Sequence, residues 1–344
     1  MPEQRSGLVV AVTGATGNLG TSVVDALVDD PAVSAVRAIA RRSPVPANGR
    51  PAWAPARTTF VEADIARDDL VPLFDGVDVV VHLAWQFQPS RDPVQTWDVN
   101  VVGAMRVFDA AAAAGVSALV HASSVGAYSP GSKDVRVTED WPTHGWQGAA
   151  YTREKSYLER VLDRVETRNP DLRVVRMRPA FVFEASASTE QRRLFGGPFV
   201  PARLVRPAFV PVFPDIADLV FQGVHSRDVG RAFAAAAVRE VSGAFNLAAD
   251  PVITPATFAE ILRARLIPLP ASAVRLALDA LFTARLVPTD PGLFDAVLRL
   301  PIMDSGRARD LLEWAPRHTA QDALAEFVRG VHEVEDVPTP PLSA

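Results

Sequence analysis

A tyrosine and a lysine four residues apart are the side chains of this sequence best suited to acid–base chemistry. They open and close the stretch Tyr151-Thr152-Arg153-Glu154-Lys155, in a chain with three tyrosines and two lysines. On a helix, a spacing of four puts both side chains on one face. A neighbouring ammonium favours the phenolate and lowers the tyrosine pKa from its usual value of about 10. We therefore expect Tyr151 to exchange a proton with a carbinol or carbonyl oxygen.

A glycine-containing stretch, Thr13–Gly20, follows the first apolar run and opens the first predicted helix. Glycine lets the backbone turn sharply and approach a pyrophosphate, while the helix N-terminus offers free N–H groups and a positive dipole end. This context predicts a dinucleotide site, with an ordinary glycine-rich turn as the alternative. The residues predicted to contact the dinucleotide are Gly14, Thr16, Gly17, Asn18 and Leu19.

The end of the second predicted strand bears on the choice of cofactor. NAD-binding domains normally carry an acidic residue there for the ribose hydroxyls. Here Ala40 holds that position, and Arg41 and Arg42 follow. Because Arg41 can pair with a 2′-phosphate, NADP(H) is preferred over NAD(H); a solvated loop is the alternative.

The next strands also end in residues that can contact a cofactor. After the third strand, the Asp64 carboxylate can accept the adenine amino group while Ile65 packs on the ring; a helix cap is the alternative. The fourth strand ends in His82-Leu83-Ala84-Trp85. We expect the small Ala84, beside Leu83, to admit a cofactor ribose, and His82 to be a packed strand residue.

Two serines, Ser123 and Ser124, follow the fifth predicted strand. Ligands of open α/β sheets bind at the carboxyl ends of the strands. A serine hydroxyl there can hold a substrate oxygen; a hydrogen-bonding turn at the strand end is the alternative.

Taken together, the sequence resembles the extended short-chain dehydrogenase/reductase family, also called the NAD-dependent epimerase/dehydratase family, along nearly its whole length. The motifs that carry the resemblance are Thr13–Gly20, Asp64-Ile65, His82-Leu83-Ala84, Asn100, Ser123–Tyr128, Tyr151–Lys155, Arg178-Pro179, His225–Asp228, Asn246-Leu247 and Asp304–Pro316.

The resemblance implies a catalytic triad of Ser124, Tyr151 and Lys155, in which Tyr151 and Lys155 also contact the cofactor. Ser124 is chosen over Ser123 because it stands four residues before Tyr128, as in the family pattern. The resemblance also places Asn100 near the cofactor or in the active-site backbone. The segment expected to pass the nicotinamide is Ala180-Phe181-Val182.

Two departures from the family concern the substrate. Sugar-nucleotide members usually carry asparagine where this chain has Phe181, and a diphosphate-binding arginine where Phe221 aligns. The second-strand pattern, which includes Arg41, instead resembles the ketone and aldehyde reductases of the dihydroflavonol-reductase-like branch. The residues predicted to line the substrate pocket are Trp85, Phe87, Ser124, Phe181 and Phe221.

These residues predict an NADP(H)-dependent reductase of a ketone or aldehyde, or the reverse alcohol dehydrogenase. A sugar-nucleotide epimerase or dehydratase with NAD is the alternative. A third hypothesis is a non-enzymatic regulator that senses a dinucleotide. The presence of the Tyr151/Lys155 pair argues against it.

Apolar strand-length runs alternate with helical stretches through the first half of the chain, which predicts an α/β fold, a Rossmann-type doubly wound parallel sheet with a smaller C-terminal lobe. Helices are predicted over Asp69–Phe74 and Pro255–Leu266, and the last strand over Ala244–Leu247. Prolines make regular helix unlikely from Glu184 to Leu219. We assign residues 1–183 and about 223–250 to the dinucleotide domain, and 184–222 with 251–315 to the substrate lobe. A C-terminal helix and tail cover 316–344. The apolar stretch Ala271–Leu286 is expected to pack on the lobe, with a membrane-facing helix as the alternative.

Composition narrows the class of protein. A net charge of -5, 48% apolar residues and no cysteine describe a globular chain without disulfides or Cys-ligated metal, and no metal site is predicted. The acidic balance argues against nucleic acid, and no segment indicates a membrane span. The partners expected are a small-molecule substrate in the cytoplasm and a second copy, in a homodimer through the predicted helices Val94–Ala114 and Ala150–Arg168.

Overall fold

The computed structural model describes residues 7–44, 53–87, 91–185 and 210–333. Residues 186–209 of the predicted irregular segment, and residues 334–344 of the predicted C-terminal helix and tail, lie outside the described residues. The boundaries of the predicted domains stay predictions.

A seven-stranded parallel sheet forms the centre of the molecule. Its order, β11-β7-β5-β4-β1-β2-β3, has crossovers on both sides of β1, as in doubly wound dinucleotide-binding sheets. The α/β, Rossmann-type fold predicted from the sequence is confirmed. The strands are β1 (Leu8–Thr13), β2 (Val33–Ala40), β3 (Thr58–Glu62), β4 (Val79–His82), β5 (Ala118–Ala122), β7 (Arg173–Pro179) and β11 (Gly243–Leu247).

The sheet is apolar on both faces because helices cover both. In β1, Val10 and Val12 pack into one hydrophobic layer, and Ala11 between them packs into the other. The described α-helices are α1 (Asn18–Asp29), α2 (Pro93–Trp97), α3 (Gly103–Ala113), α4 (Ala150–Arg168), α5 (Ser226–Val238), α6 (Pro255–Leu262), α7 (Ala271–Thr283), α8 (Pro291–Arg299), α9 (Gly306–Leu312) and α10 (Ala320–Glu333).

Short strands outside the main sheet build the lobe, so the expectation that Ala244–Leu247 is the last strand was wrong. That segment is the edge of the main sheet, and further strands follow it. The remaining strands are β6 (Arg136–Val137), β8 (Phe181–Phe183), β9 (Val212–Asp215), β10 (Phe221–His225), β12 (Ala249–Ile253), β13 (Arg265–Pro268) and β14 (Ile302–Met303).

Two predicted helices are shorter than expected. The stretch Asp69–Phe74 forms one 3₁₀ turn at Pro72–Phe74, because Pro72 lacks an N–H and the Asp69 carboxylate accepts the Val71 N–H. The helix expected from Pro255 to Leu266 ends at Leu262, where Arg263 takes a left-handed conformation with φ 55°. The chain then continues as β13.

The helix predicted over Val94–Ala114 is interrupted by a π-helical turn, Asp98–Val102, between α2 and α3. Such turns insert one extra residue per turn and are frequent at functional sites. Here the turn contains Asn100, which is buried.

A charged pair joins helix α7 to α8, since Arg275 Nε lies 2.9 Å from Asp295 Oδ2. None of the α7 residues is fully buried, and Leu276 is 71% exposed. The expected packing on the lobe is therefore only partial. Among the described residues, no helix combines the length and the apolar character needed to cross a bilayer. The homodimer through α3 and α4 stays a prediction.

A buried charge network joins α4 to the ends of β5, β7 and β11. Glu159 accepts hydrogen bonds from Ser123 Oγ (2.6 Å) and from Nε and Nη2 of Arg178 (2.9 and 3.0 Å). Arg178 also donates to the Tyr128 hydroxyl (2.8 Å), which donates to Asn246 Oδ1 (2.7 Å). Burial alone would raise the pKa of Glu159, but the bonds from Arg178 hold it below its usual value.

Removal of the Glu159 charge is expected to destabilise the fold strongly. Glu159→Gln leaves Arg178 buried without its counterion, which costs about 3–5 kcal/mol of unfolding free energy. Asp163→Asn is the matched control, because it removes a carboxylate that accepts a hydrogen bond from Arg176. The Asp163 side chain is half exposed, so its loss should lower the unfolding free energy by about 1 kcal/mol or less. Urea denaturation measures both, and equal losses would contradict the role given to Glu159.

Candidate active site

The phenol of Tyr151 meets Ser124 at the carboxyl edge of the sheet. Tyr151 lies in the first turn of α4, and its hydroxyl is hydrogen-bonded with Ser124. Ser124 Oγ also accepts the Gly126 N–H at 3.0 Å. A Cβ on Gly126 would lie 2.8 Å from Tyr151 Cε1, so this position needs glycine for the ring to fit.

The ammonium of Lys155 is buried behind the site. Its Nζ donates to the Ala122 carbonyl (2.7 Å) and lies 3.4 Å from the centroid of the Trp85 ring. Burial lowers the pKa of Lys155 to about 7, against the opposing charges of Glu154 and Glu159. Lys155 and Tyr151 share one face of α4, as the spacing predicts, with Nζ 5.9 Å from the phenol ring centroid.

The pKa of Tyr151 departs from the sequence-based expectation. Burial raises it to about 12; the hydrogen bond with Ser124 lowers it and the charge of Glu154 raises it. Desolvation of the phenolate therefore outweighs the hydrogen bond with Ser124. In this structure Tyr151 is a proton donor at neutral pH.

Two aromatic side chains from the segment after β4 pack on Tyr151. Trp85 meets its ring edge-on, with centroids 5.5 Å apart, and Phe87 stacks on it at 5.4 Å. Two of the predicted pocket residues are thus brought to the predicted catalytic tyrosine.

A pocket that opens to solvent lies beside Tyr151; its empty space is about 380 Å³ with the open solvent at its mouth included, and its enclosed part is about 30 Å³. It is lined by residues from the segment after β4, from α2, from the start of α4 and from the lobe. Six of them were missed by sequence reasoning. The lining residues are Trp85, Gln86, Phe87, Thr96, Ala150, Tyr151, Glu154, Asp290 and Leu293.

Glu154 is held in place by the π-helical turn and α2. Its Oε1 accepts from Thr96 Oγ1 and its Oε2 from Asn100 Nδ2, both at 2.8 Å. Asn100 also accepts the Gln86 N–H and donates to the Gln86 carbonyl. Asn100 therefore orders the active-site backbone, one of the two roles that the resemblance implied. The signal for Glu154 was its place three residues after Tyr151, on the same helical face.

The turn between β1 and α1 fits a dinucleotide. Gly14 has φ 75°, and a Cβ there would lie 2.7 Å from the Ala84 backbone. Gly17 caps α1 with no side chain bonded to the helix end, so the first N–H groups are open to a phosphate. Asn18 Oδ1 is buried and has no hydrogen-bond partner among the described residues. Thr16 and Leu19 lie in the same turn.

Other predicted cofactor contacts sit at the neighbouring strand ends. Leu83 donates its N–H to the Thr13 carbonyl, next to Ala84. The Asp64 carboxylate accepts the Ala66 N–H at 3.0 Å, as in the capping role given above as the alternative. Its side chain stays partly exposed. Ile65 is buried against Gly103.

Arg41 follows β2 on the surface. It is exposed and has no ion pair among the described residues. The structure thus leaves its guanidinium available to a ligand.

The residues predicted to pass the nicotinamide lie on β8 and just before it. Ala180, between β7 and β8, donates its N–H to the Leu247 carbonyl, and Val182 pairs with Val224. The ring of Phe181 lies 4.7 Å from that of Phe221, which is buried in the lobe core. Phe221, Phe181 and Ser124 do not line the cavity beside Tyr151, contrary to their prediction as pocket residues.

His82 is a packed strand residue, as expected. Its Nδ1 lies 2.7 Å from Thr13 Oγ1, and its ring stacks on His121. Burial, together with the charge of Lys155, lowers its pKa to about 3. His82 is neutral and takes no part in the cavity.

The comparison with protein families decides the class. The model of the NAD dependent epimerase/dehydratase family matches residues 10–248. The chain belongs to this family. The same family is also called the extended short-chain dehydrogenase/reductase family, so the resemblance seen in the sequence is confirmed.

Two curated relatives match parts of this family member. It is 34% identical to the L-arabinose 1-dehydrogenase (NAD(P)(+)) of Haloferax volcanii over 116 residues, 33% of this chain and 40% of that protein. It is 36% identical to the UDP-glucose 4-epimerase of Mycolicibacterium smegmatis over 138 residues, 39% of this chain and 44% of that protein. The chain thus spans less than half the length of either relative.

A solved structure extends the likeness in fold. The UDP-glucose 4-epimerase of Thermus thermophilus, in complex with NAD, superposes with a TM-score of 0.68 at 19% identity. The match covers 95% of this chain and 100% of that one.

The two serines after β5 are expected to differ in their effect on turnover. Ser124→Ala removes the hydrogen bond to Tyr151 and should lower kcat by about 10²-fold. The matched control, Ser123→Ala, loses a bond to Glu159 and should lower stability with a small effect on kcat. Steady-state kinetics of both variants tests this; a larger loss of kcat in Ser123→Ala would reverse the assignment.

Proposed function

We propose that this enzyme is an NADP(H)-dependent reductase of a ketone or aldehyde. The observation that carries the proposal is the position of the Tyr151 phenol, which lies at the wall of a pocket with aromatic sides, on the same helix face as Lys155. A phenol that keeps its proton at neutral pH suits the reductive direction, in which the carbonyl oxygen must gain one.

Each member of the triad has a distinct task in this proposal. Ser124 orients the substrate oxygen, and Tyr151 gives it a proton. Lys155 holds the ribose of the cofactor once Trp85 moves from its ammonium. A bound nicotinamide supplies the hydride for the carbonyl carbon.

The preference for NADP(H) rests on Arg41 and on the absence of an acidic residue at the end of β2. The exposed guanidinium of Arg41 can pair with a 2′-phosphate, whereas an aspartate there would repel it. The named cofactor of the Haloferax volcanii relative, NAD(P)(+), is compatible with either choice.

Tyr151→Phe is expected to reduce turnover by about 10²–10⁴-fold, because it deletes only the proton that the carbonyl oxygen receives. Cofactor affinity should stay nearly unchanged, since the ring and its packing on Phe87 and Trp85 remain. Single-turnover kinetics and calorimetry measure the two quantities. Retention of more than a tenth of the wild-type rate would rule out Tyr151 as the acid.

Arg41→Asp is expected to weaken NADP binding by about 10–100-fold, the worth of a hydrogen bond between charged groups, with a much smaller effect on NAD. Arg164→Asp, on the exposed face of α4, makes the same charge change away from the loop after β2 and serves as control. Dissociation constants of NAD and NADP, measured for both variants, test this prediction. An equal loss for NAD and NADP would make Arg41 a solvated loop residue.

A sugar-nucleotide epimerase is the second candidate, favoured by the 36% identity to the Mycolicibacterium smegmatis enzyme. A buried diphosphate needs arginine forks or backbone N–H groups. Aromatic rings and carboxylates line the cavity instead. We therefore expect no binding of UDP-glucose in calorimetry with saturating NAD(P). Micromolar binding would shift the proposal to the epimerase.

A further inference from the structure

We propose that the cavity beside Tyr151 binds a ketone that carries a positively charged ammonium group. The inference rests on the proposed function, because it names the substrate class of the same site. It starts from the charge and the aromatic character of the cavity wall.

Two carboxylates line the cavity, and they come from distant parts of the chain. Glu154 belongs to α4, and Asp290 precedes α8 in the lobe. In the described part of the chain, the lining residues include neither arginine nor lysine. Carboxylates from two different parts of the fold thus give the wall negative charge, which would repel a carboxylate or phosphate ligand.

Glu154 is buried, and both of its carboxylate oxygens accept hydrogen bonds. Burial raises its pKa, but Thr96 and Asn100 each donate a hydrogen bond to one of its oxygens, and such bonds favour the charged form. A buried carboxylate is costly unless an opposite charge is near. The Lys155 ammonium, which is bonded to the Ala122 carbonyl and lies against the Trp85 ring, lowers the pKa of Glu154 and offsets part of its charge.

Asp290 keeps a free oxygen for a ligand. Its Oδ1 accepts the Gly292 N–H at 2.8 Å as the N-cap of α8. Its other oxygen has no hydrogen bond within the described ranges, and the residue is partly exposed at the cavity. A carboxylate in this position can pair with a cation that enters from solvent.

Aromatic rings complete a cation-binding wall. Trp85, Phe87 and Tyr151 all line the cavity and contact one another. The faces of such rings attract ammonium groups, most strongly when several rings surround a desolvated cation. The Trp85 ring already does this for the Lys155 ammonium in this structure. Rings and carboxylates together are the chemistry that recognises a substituted ammonium.

Three ketones of similar shape and different charge test the inference. They are 1,1-dimethyl-4-oxopiperidinium, a permanent cation; 4,4-dimethylcyclohexanone, its neutral isostere; and 4-oxocyclohexanecarboxylate, an anion. Calorimetry of the full chain with saturating NADP⁺ measures their dissociation constants, and NADPH oxidation measures their turnover. We expect the cation to bind at least about tenfold more tightly than the neutral ketone, and the anion to bind more weakly than both.

Variants assign the preference to the two carboxylates. Glu154→Gln and Asp290→Asn keep side-chain shape, and asparagine still caps α8. Each should lower the cation-to-neutral affinity ratio by about threefold or more, and the double variant should bring it close to one. Asp109→Asn removes an exposed carboxylate of α3 and should leave the ratio as in the wild type. A ratio within one protein does not depend on the fraction that folds.

The outcomes separate this inference from the proposed function. If the cation binds most tightly but none of the three ketones oxidises NADPH, the proposal of a cation site stands and the proposed reductase function is wrong. Reduction of the neutral ketone, with equal or weaker binding of the cation, would retain the reductase and overturn the cation site. A preference for the cation that survives in the double variant would also overturn it.

Discussion

The buried ammonium of Lys155 is the constraint around which the site is arranged. A charge removed from water is costly, and this one is compensated by the Ala122 carbonyl, the Trp85 ring and the carboxylates of Glu154 and Glu159. The first of these contacts fixes α4 against the end of β5. The second draws the segment after β4 over the site, and the network of Glu159 ties the same helix to β7.

Burial also shapes the chemistry. It keeps the phenol of Tyr151 protonated, so that the phenol can donate a proton to a carbonyl oxygen. In the proposed function, Lys155 binds the cofactor ribose only when Trp85 leaves its ammonium, so cofactor binding and the position of the aromatic wall are coupled.

Much of the fold and part of the site could be predicted from local sequence, and the rest depends on tertiary contacts. The helix that carries Tyr151 and Lys155 was bounded correctly because its pattern is local and strong. Burial, which reverses the expected pKa shift of Tyr151, has no sequence signal. Asp290 was missed because its approach to Tyr151 depends on how the lobe folds back, and Phe221 was misplaced because alignment gives a position but no direction for its ring.

The most direct test of hydride transfer to an external carbonyl uses NADPH deuterated at C4. The account predicts that the ketone substrate is reduced with one cofactor oxidised per alcohol formed, and that mass spectrometry finds the deuterium on the carbinol carbon. If no ketone or aldehyde yields a deuterated alcohol, while UDP-glucose is epimerised without net consumption of the cofactor, the account is wrong.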